Sequence, residues 1–212
     1  MEKAEGTRQR LRFPEGTRAI TIISTMAVML VIYFWARPSY KHGTNAEFMG
    51  PTTCTEQCHQ EQGASWAKTR MAQSFDALRP GVYAKEKESV GLDPEDDYTQ
   101  VEGCLACHTT GYGMVGGFVS FEETPEMAGV TCEACHGAGG MYVKTVMDAE
   151  DPTFKTEQAR EAGLVYPPTA RICRGCHNED SPFIDTDYEF DYTARVARGT
   201  HEHYQLKYEH GN

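Results

Sequence analysis

The chain has 212 residues, 31 acidic and 20 basic, and a formal charge of −11. An anionic surface of that size argues against a partner held through its phosphates, so no nucleic acid is expected. It suits either electrostatic steering of a basic partner or solubility alone.

Basic residues crowd the start of the chain: Lys3, Arg8, Arg10, Arg12 and Arg18. An uncharged run from Ala19 to Ala36 follows, bracketed by Arg18 and Arg37, with Tyr33 and Trp35 near its end. About 20 apolar residues cross a hydrocarbon core, basic flanks stay on the cytoplasmic side, and aromatic residues favour the interface. The pattern predicts a cytoplasmic N-terminus at 1–18, a transmembrane signal-anchor at 19–36 and a periplasmic linker at 37–51. A cleaved signal peptide is the alternative, but Phe34-Trp35-Ala36-Arg37-Pro38 lacks the small-x-small cleavage pattern. The expected location is a bacterial inner membrane, spanned once, with residues 52–212 in the periplasm.

That exported part contains four cysteine pairs, each ending in histidine: Cys54 and Cys58 with His59, Cys104 and Cys107 with His108, Cys132 and Cys135 with His136, and Cys173 and Cys176 with His177. Cys-x-x-Cys-His is the attachment signal for c-type haem. Two thiols form thioethers to the porphyrin edge, and the adjoining histidine ligates iron. The first pair has three intervening residues instead of two. Zinc also uses paired cysteines, but it does not require a histidine directly after each second one. A disulfide framework has only the even cysteine number in its favour. The sequence therefore predicts four covalently attached haem c groups, with their iron, that use all eight cysteines. Four porphyrins supply much of a core, so the domain needs less regular structure than its length suggests.

Between the motifs, helical spacing runs from Ala64 to Leu78, with Ala67, Met71, Phe75 and Leu78 on one face and Pro80-Gly81 as the stop. Residues 91–103 read as loop, and glycine-rich 111–120 as a short hairpin. Gly137, Gly139 and Gly140 predict close approach of backbone to the third haem. A helix then runs to about Met147, another from Phe154 to Ala162 with Gly163 as cap, and a last one from Tyr192 to Tyr208. The predicted class is mainly α: a multihaem c-type cytochrome domain over 52–212 with little regular sheet, plus one N-terminal transmembrane helix.

Each iron needs a sixth ligand or keeps an open position. The histidines outside the motifs are His42, His201, His203 and His210; the methionines beyond the anchor are Met49, Met71, Met114, Met127, Met141 and Met147. A methionine ligand raises the reduction potential relative to a second histidine.

Several stretches together resemble the cytochrome c-554 family. They are Ser65-Trp66 ahead of Met71; Leu92-Asp93-Pro94; Asp97 to Gln100; the second motif; Gly116-Gly117; Gly129-Val130; Cys132-Glu133 with Cys135-His136-Gly137; and His201-Glu202-His203-Tyr204. The resemblance covers most of 52–206 and leaves out the anchor. It implies a largely helical tetrahaem carrier with closely stacked haem pairs, like the one that takes electrons from hydroxylamine oxidoreductase in ammonia-oxidising bacteria. It implies that His108 holds an iron with no distal protein ligand and that His201 is a distal ligand. Where the family has two further distal histidines, this chain has Met71 and, in the region of Val146, Met147. Met71 is then either a ligand or part of an apolar helix face, and Met141 competes with Met147. His203 is expected on the surface, His210 near the chain end and His42 in the linker.

No catalytic residue stands out, and a carrier fits better than a catalyst. The expected function is a membrane-anchored periplasmic relay. It would link a redox enzyme or quinol-oxidising complex to a higher-potential oxidase, reaction centre or soluble cytochrome. Its partners would be periplasmic or membrane redox proteins, among them a basic electron-transfer protein or a larger membrane complex. The alternatives are a tetrahaem quinol dehydrogenase and an enzyme acting on a small nitrogen species at an open iron.

Overall fold

In a computed structural model of the protein, residues 46–56, 58–145, 155–184 and 189–208 are described. All of them belong to one compact unit, 42–212. The predicted N-terminus, anchor and most of the linker lie outside the described residues, as do His42, Met147 and His210. Among the described residues, no helix is long and apolar enough to cross a membrane.

The described part is mainly helical. Its helices are α1 (Pro51–Thr55), α2 (Gln60–Trp66), α3 (Ala84–Ser89), α4 (Glu102–His108), α5 (Cys132–His136), α6 (Gly140–Thr145), α7 (Thr156–Glu161), α8 (Ala170–Cys173) and α9 (Tyr192–Gly199). Two 3-10 turns, Ser74–Leu78 and Pro125–Met127, complete the set. An isolated antiparallel bridge joins Thr109 to Ala128.

The helix predicted from Ala64 to Leu78 is broken. α2 stops at Trp66, residues 67–73 turn, and the 3-10 turn resumes at Ser74. The break exposes the Met71 carbonyl, which accepts from Ser74 N at 3.2 Å and from Val130 N at 2.9 Å. The Trp66 indole donates to Val130 O at 2.9 Å. Long-range pairing to the strip ahead of α5 thus replaces the helical ladder. Phe75 and Leu78 are buried as expected, Met71 is half-buried and Ala67 is exposed.

The hairpin predicted over 111–120 is a string of glycine turns instead, with positive φ at Gly111, Gly113 and Gly116. It closes through Phe118 N to Thr110 O at 2.9 Å and Phe48 N to Val115 O at 3.0 Å. Its two limbs touch where a side chain cannot fit. A Cβ on Gly117 would lie 1.9 Å from Gly111 O. Backbone, not a flexible side chain, is the obstacle. Gly117→Ala is therefore expected to cost about 3 kcal/mol in denaturant unfolding of the haem-bound protein. A loss below about 0.5 kcal/mol would show that the loop repacks freely.

The glycines after the third motif pack against the protein's own main chain. A Cβ on Gly137 would meet Gly163 O at 2.7 Å, and one on Gly140 would meet Glu47 O at 2.7 Å. The close approach observed there is to the protein's own backbone. The helix predicted over 154–162 is shorter, Thr156–Glu161, and Gly163 does take a positive φ of 109°. The last helix starts as predicted, with Asp191 Oδ1 accepting from Ala194 N at 2.9 Å, but it ends at Gly199. Residues 201–206 have no regular structure.

Apolar packing is split. One cluster joins Phe48, Phe75, Leu78, Leu105, Phe118, Met127 and Ala138, with Cys104 against it. A smaller one joins Tyr142 and Ala159, with Val143, Ala162 and Leu164.

Candidate haem-binding sites

Three motifs place their cysteines by a turn of helix: α4 carries Cys104 and Cys107, α5 carries Cys132 and Cys135, and α8 ends at Cys173. The first motif absorbs its extra residue as a wider turn. His59 N donates to Cys54 O at 3.0 Å, five residues back, whereas His177 N donates to Cys173 O at 2.9 Å, four back. None of the eight cysteines is in a disulfide, and all are half-buried. Thioether formation with a porphyrin needs that state.

The pairs also meet one another. A hydrogen bond joins the Cys54 and Cys132 thiols, pushing Cys54 up and Cys132 down. In the same way a hydrogen bond joins Cys176 and Cys107, pushing Cys176 up and Cys107 down to about 7. Burial, then the nearby Cys173, push Cys135 up to about 11. Site one therefore adjoins site three, site two adjoins site four, and sites three and four lie close together. In space the attachment sites follow the order one, three, four, two.

The motif histidines are prepared for a metal. His108 Nδ1 pairs with Ser74 O at 2.6 Å, and His136 Nδ1 pairs with Val165 O at 3.0 Å. A carbonyl can only accept, so Nδ1 carries the proton and Nε2 keeps its lone pair for iron. Burial lowers both His136 and His177, favouring the neutral, ligating form. Beside Cys132, Thr131 Oγ1 is buried without a hydrogen-bond partner. The residues present fit a haem at each motif. Iron would be held by His59, His108, His136 and His177, and the porphyrin edge by the four cysteine pairs. Each haem c, once attached, supplies a one-electron ferric/ferrous couple.

Of the predicted distal ligands, His201 is brought to the sites. Its ring lies 6.4 Å from that of His136, centroid to centroid. The tail that carries it is clamped to α2: Glu202 N donates to Ser65 Oγ at 2.8 Å, and Gln62 Nε2 donates to Tyr204 O at 3.1 Å. Because α2 begins directly after His59, the clamp sets His201 beside both site one and site three. His203 is exposed as expected, but its ring stays 5.1 Å from His201, because no helix separates them there. Met71 sits in the turn ahead of Ser74, with its backbone tied to the strip leading into α5.

Sequence reasoning missed Ser74 and Val165, which act through main-chain carbonyls and leave no side-chain signature. It named Glu133 among the residues of the family resemblance but gave it no role. Glu133 is 1% exposed, and its carboxylate accepts from Met49 N, Gly50 N and Gly139 N at 2.7 to 3.1 Å. A charged residue between apolar neighbours in a motif was the available signal.

The chain is similar to known proteins over most of its length. The family profile described as cytochrome c554 and c-prime matches residues 53–137. Cytochrome c-554 of Nitrosomonas europaea is 32% identical over 186 residues, covering 77% of this chain and 78% of its own. The structure of reduced cytochrome c554 from the same organism superposes with a TM-score of 0.64 at 29% identity, covering 77% of this chain and 88% of that one. The chain belongs to the cytochrome c-554 family, and its eight cysteines hold that family's four covalently bound haem c groups.

Proposed function

We propose that this electron-transfer cytochrome is a membrane-anchored periplasmic relay. It takes electrons from a redox enzyme or a quinol-oxidising complex and passes them to a higher-potential oxidase, reaction centre or soluble cytochrome. The observation that carries the reading is the closeness of the four attachment sites, one to three, three to four and four to two. A lone catalytic haem would not need that series. The uncharged run 19–36 would keep the relay beside its partners and raise their effective concentration. The charge of −11 favours a basic partner.

Within this reading His59, His108, His136 and His177 are the proximal ligands, and His201, Met71 and Met147 the distal ones. His201→Ala in the haem-bound protein is expected to convert one low-spin iron to high-spin, read by near-infrared magnetic circular dichroism. An unchanged low-spin count would remove His201 from the ligand set. The same spectrum separates His–Met from His–His irons, and a protein showing only His–His pairs would remove Met71 and Met147.

The relay itself is tested by mixing the reduced, membrane-held protein with an oxidised basic cytochrome of higher potential. Fast oxidation that slows as salt rises is expected. Direct reduction by quinol analogues without another subunit would favour a quinol dehydrogenase instead. Turnover of nitric oxide or hydroxylamine would favour an enzyme.

A further inference from the structure

Glu133 stands one residue past Cys132, and both of its oxygens are engaged. Oε1 accepts from Met49 N at 2.9 Å and Gly139 N at 2.7 Å; Oε2 accepts from Gly50 N at 2.8 Å and Met49 N at 3.1 Å. Every partner is a donor and none is an acceptor. That is the bonding pattern of a carboxylate anion, since a protonated carboxyl would need somewhere to donate. The ion pairs among the described residues join Arg79 to Asp76, Lys144 to Glu47 and Arg160 to Glu157; none involves Glu133. Backbone dipoles alone stabilise the charge, so it is not cancelled by a neighbouring cation.

Its field reaches the attachment sites around it. Burial pushes the Tyr142 hydroxyl up, and Glu133 adds to that rise. Through Gly50, which caps α1, the carboxylate is tied to the helix that carries Cys54 of site one, and it directly follows Cys132 of site three. Glu133 thus lies between site one and site three, in a dry interior where a charge acts more strongly than in water.

We propose that Glu133 is a potential-setting residue: a fixed buried anion that favours ferric over ferrous iron at the haem held by Cys132, Cys135 and His136. Ferric iron carries one more positive charge than ferrous iron, so a nearby carboxylate stabilises it and lowers the reduction potential. The couple involves one electron and no proton, and no bond is made or broken. The proposal rests on the relay reading and deepens it. It makes site three a low-potential station in the interior of the series.

The test is a spectroelectrochemical titration of the full haem-bound chain, with dithionite as reductant, comparing wild type with Glu133→Gln and Glu133→Asp. Glu133→Gln keeps the shape and removes the charge. One of the four midpoints is expected to rise by roughly a tenfold preference for ferrous iron, about 59 mV for a one-electron couple. A smaller rise is allowed at a second haem beside Cys54. Glu133→Asp keeps the charge and is expected to hold the wild-type midpoint. Glu126→Gln, an exposed carboxylate, is expected to move none. Four unchanged midpoints in a Glu133→Gln protein that retains four haems overturn the proposal and leave the relay standing. Equal shifts in the Gln and Asp variants also overturn it, because packing and not charge would then be the cause. A wild-type protein without four one-electron waves overturns the relay reading itself.

Discussion

A chain carrying all eight cysteines as serine is expected to show no cooperative unfolding transition, although every other residue is kept. The reason is the scale of its regular structure. The described helices are between 4 and 8 residues long. Isolated helices need about 12–15 residues to be even marginal in water, so none of these persists without tertiary support. That support is thin in the protein alone: one cluster of seven buried side chains and one of two among the described residues. The motif cysteines are half-buried, as are His59, His108 and His136, and Cys54 meets Cys132 as Cys107 meets Cys176. Porphyrins attached at those cysteines would supply the apolar mass that the side chains lack. Circular dichroism against temperature, together with limited proteolysis, reads the outcome. A sharp melt near that of the haem-bound protein would show that the polypeptide core suffices. Folding and electron transfer would then be separable, contrary to what the packing implies.

The features legible in the sequence were those that chemistry fixes locally. Cys-x-x-Cys-His gave the attachment sites because thioether geometry needs both thiols and the imidazole within one turn. Phe75 and Leu78 were correctly placed in the core, since their apolar faces must bury whatever backbone carries them. The backbone itself was misread between Trp66 and Ser74, because the apolar spacing also fits a helix and the competing partner, Val130, is 59 residues beyond Met71. The glycines at 111–117 and 137–140 signalled unusual backbone, but the partner of each close approach was invisible. Spacing cannot say whether a glycine makes room for a cofactor or for Glu47 and Gly163. The order of the sites was also out of reach. It depends on Cys54 meeting Cys132, and Cys107 meeting Cys176, across long stretches of chain. The same holds for His201: its identity could be guessed, but the clamp by Gln62 and Ser65 that positions it is tertiary.

Glu133→Ala is expected to destabilise the haem-bound protein by about 3–5 kcal/mol, a large share of the ~5–15 kcal/mol that holds a typical domain together. Truncation would strand three backbone donors which the carboxylate now satisfies, buried at Gly50 and Gly139 and half-buried at Met49. Each unsatisfied buried donor costs about 1–3 kcal/mol, less whatever water can enter to replace the lost acceptor. The damage would spread along the chain in a definite direction. Residues 46–50 carry Phe48 into the larger core cluster and lead straight into α1 and Cys54, so their release loosens site one as well as site three. Denaturant unfolding gives the size of the loss, and hydrogen exchange gives its place. Amides of Met49, Gly50 and Gly139 should exchange faster than those of α9, on the far side of the sequence from this contact. A loss under about 1 kcal/mol with those three amides still protected would show that another acceptor takes over. Glu133→Gln separates the two roles of this side chain. It retains an oxygen for Met49 and Gly139 but turns an NH2 donor toward the Gly50 N–H, so its stability loss should lie below that of Glu133→Ala, while the whole charge is gone. Stability would then follow the number of satisfied donors, and the reduction potential would follow the charge.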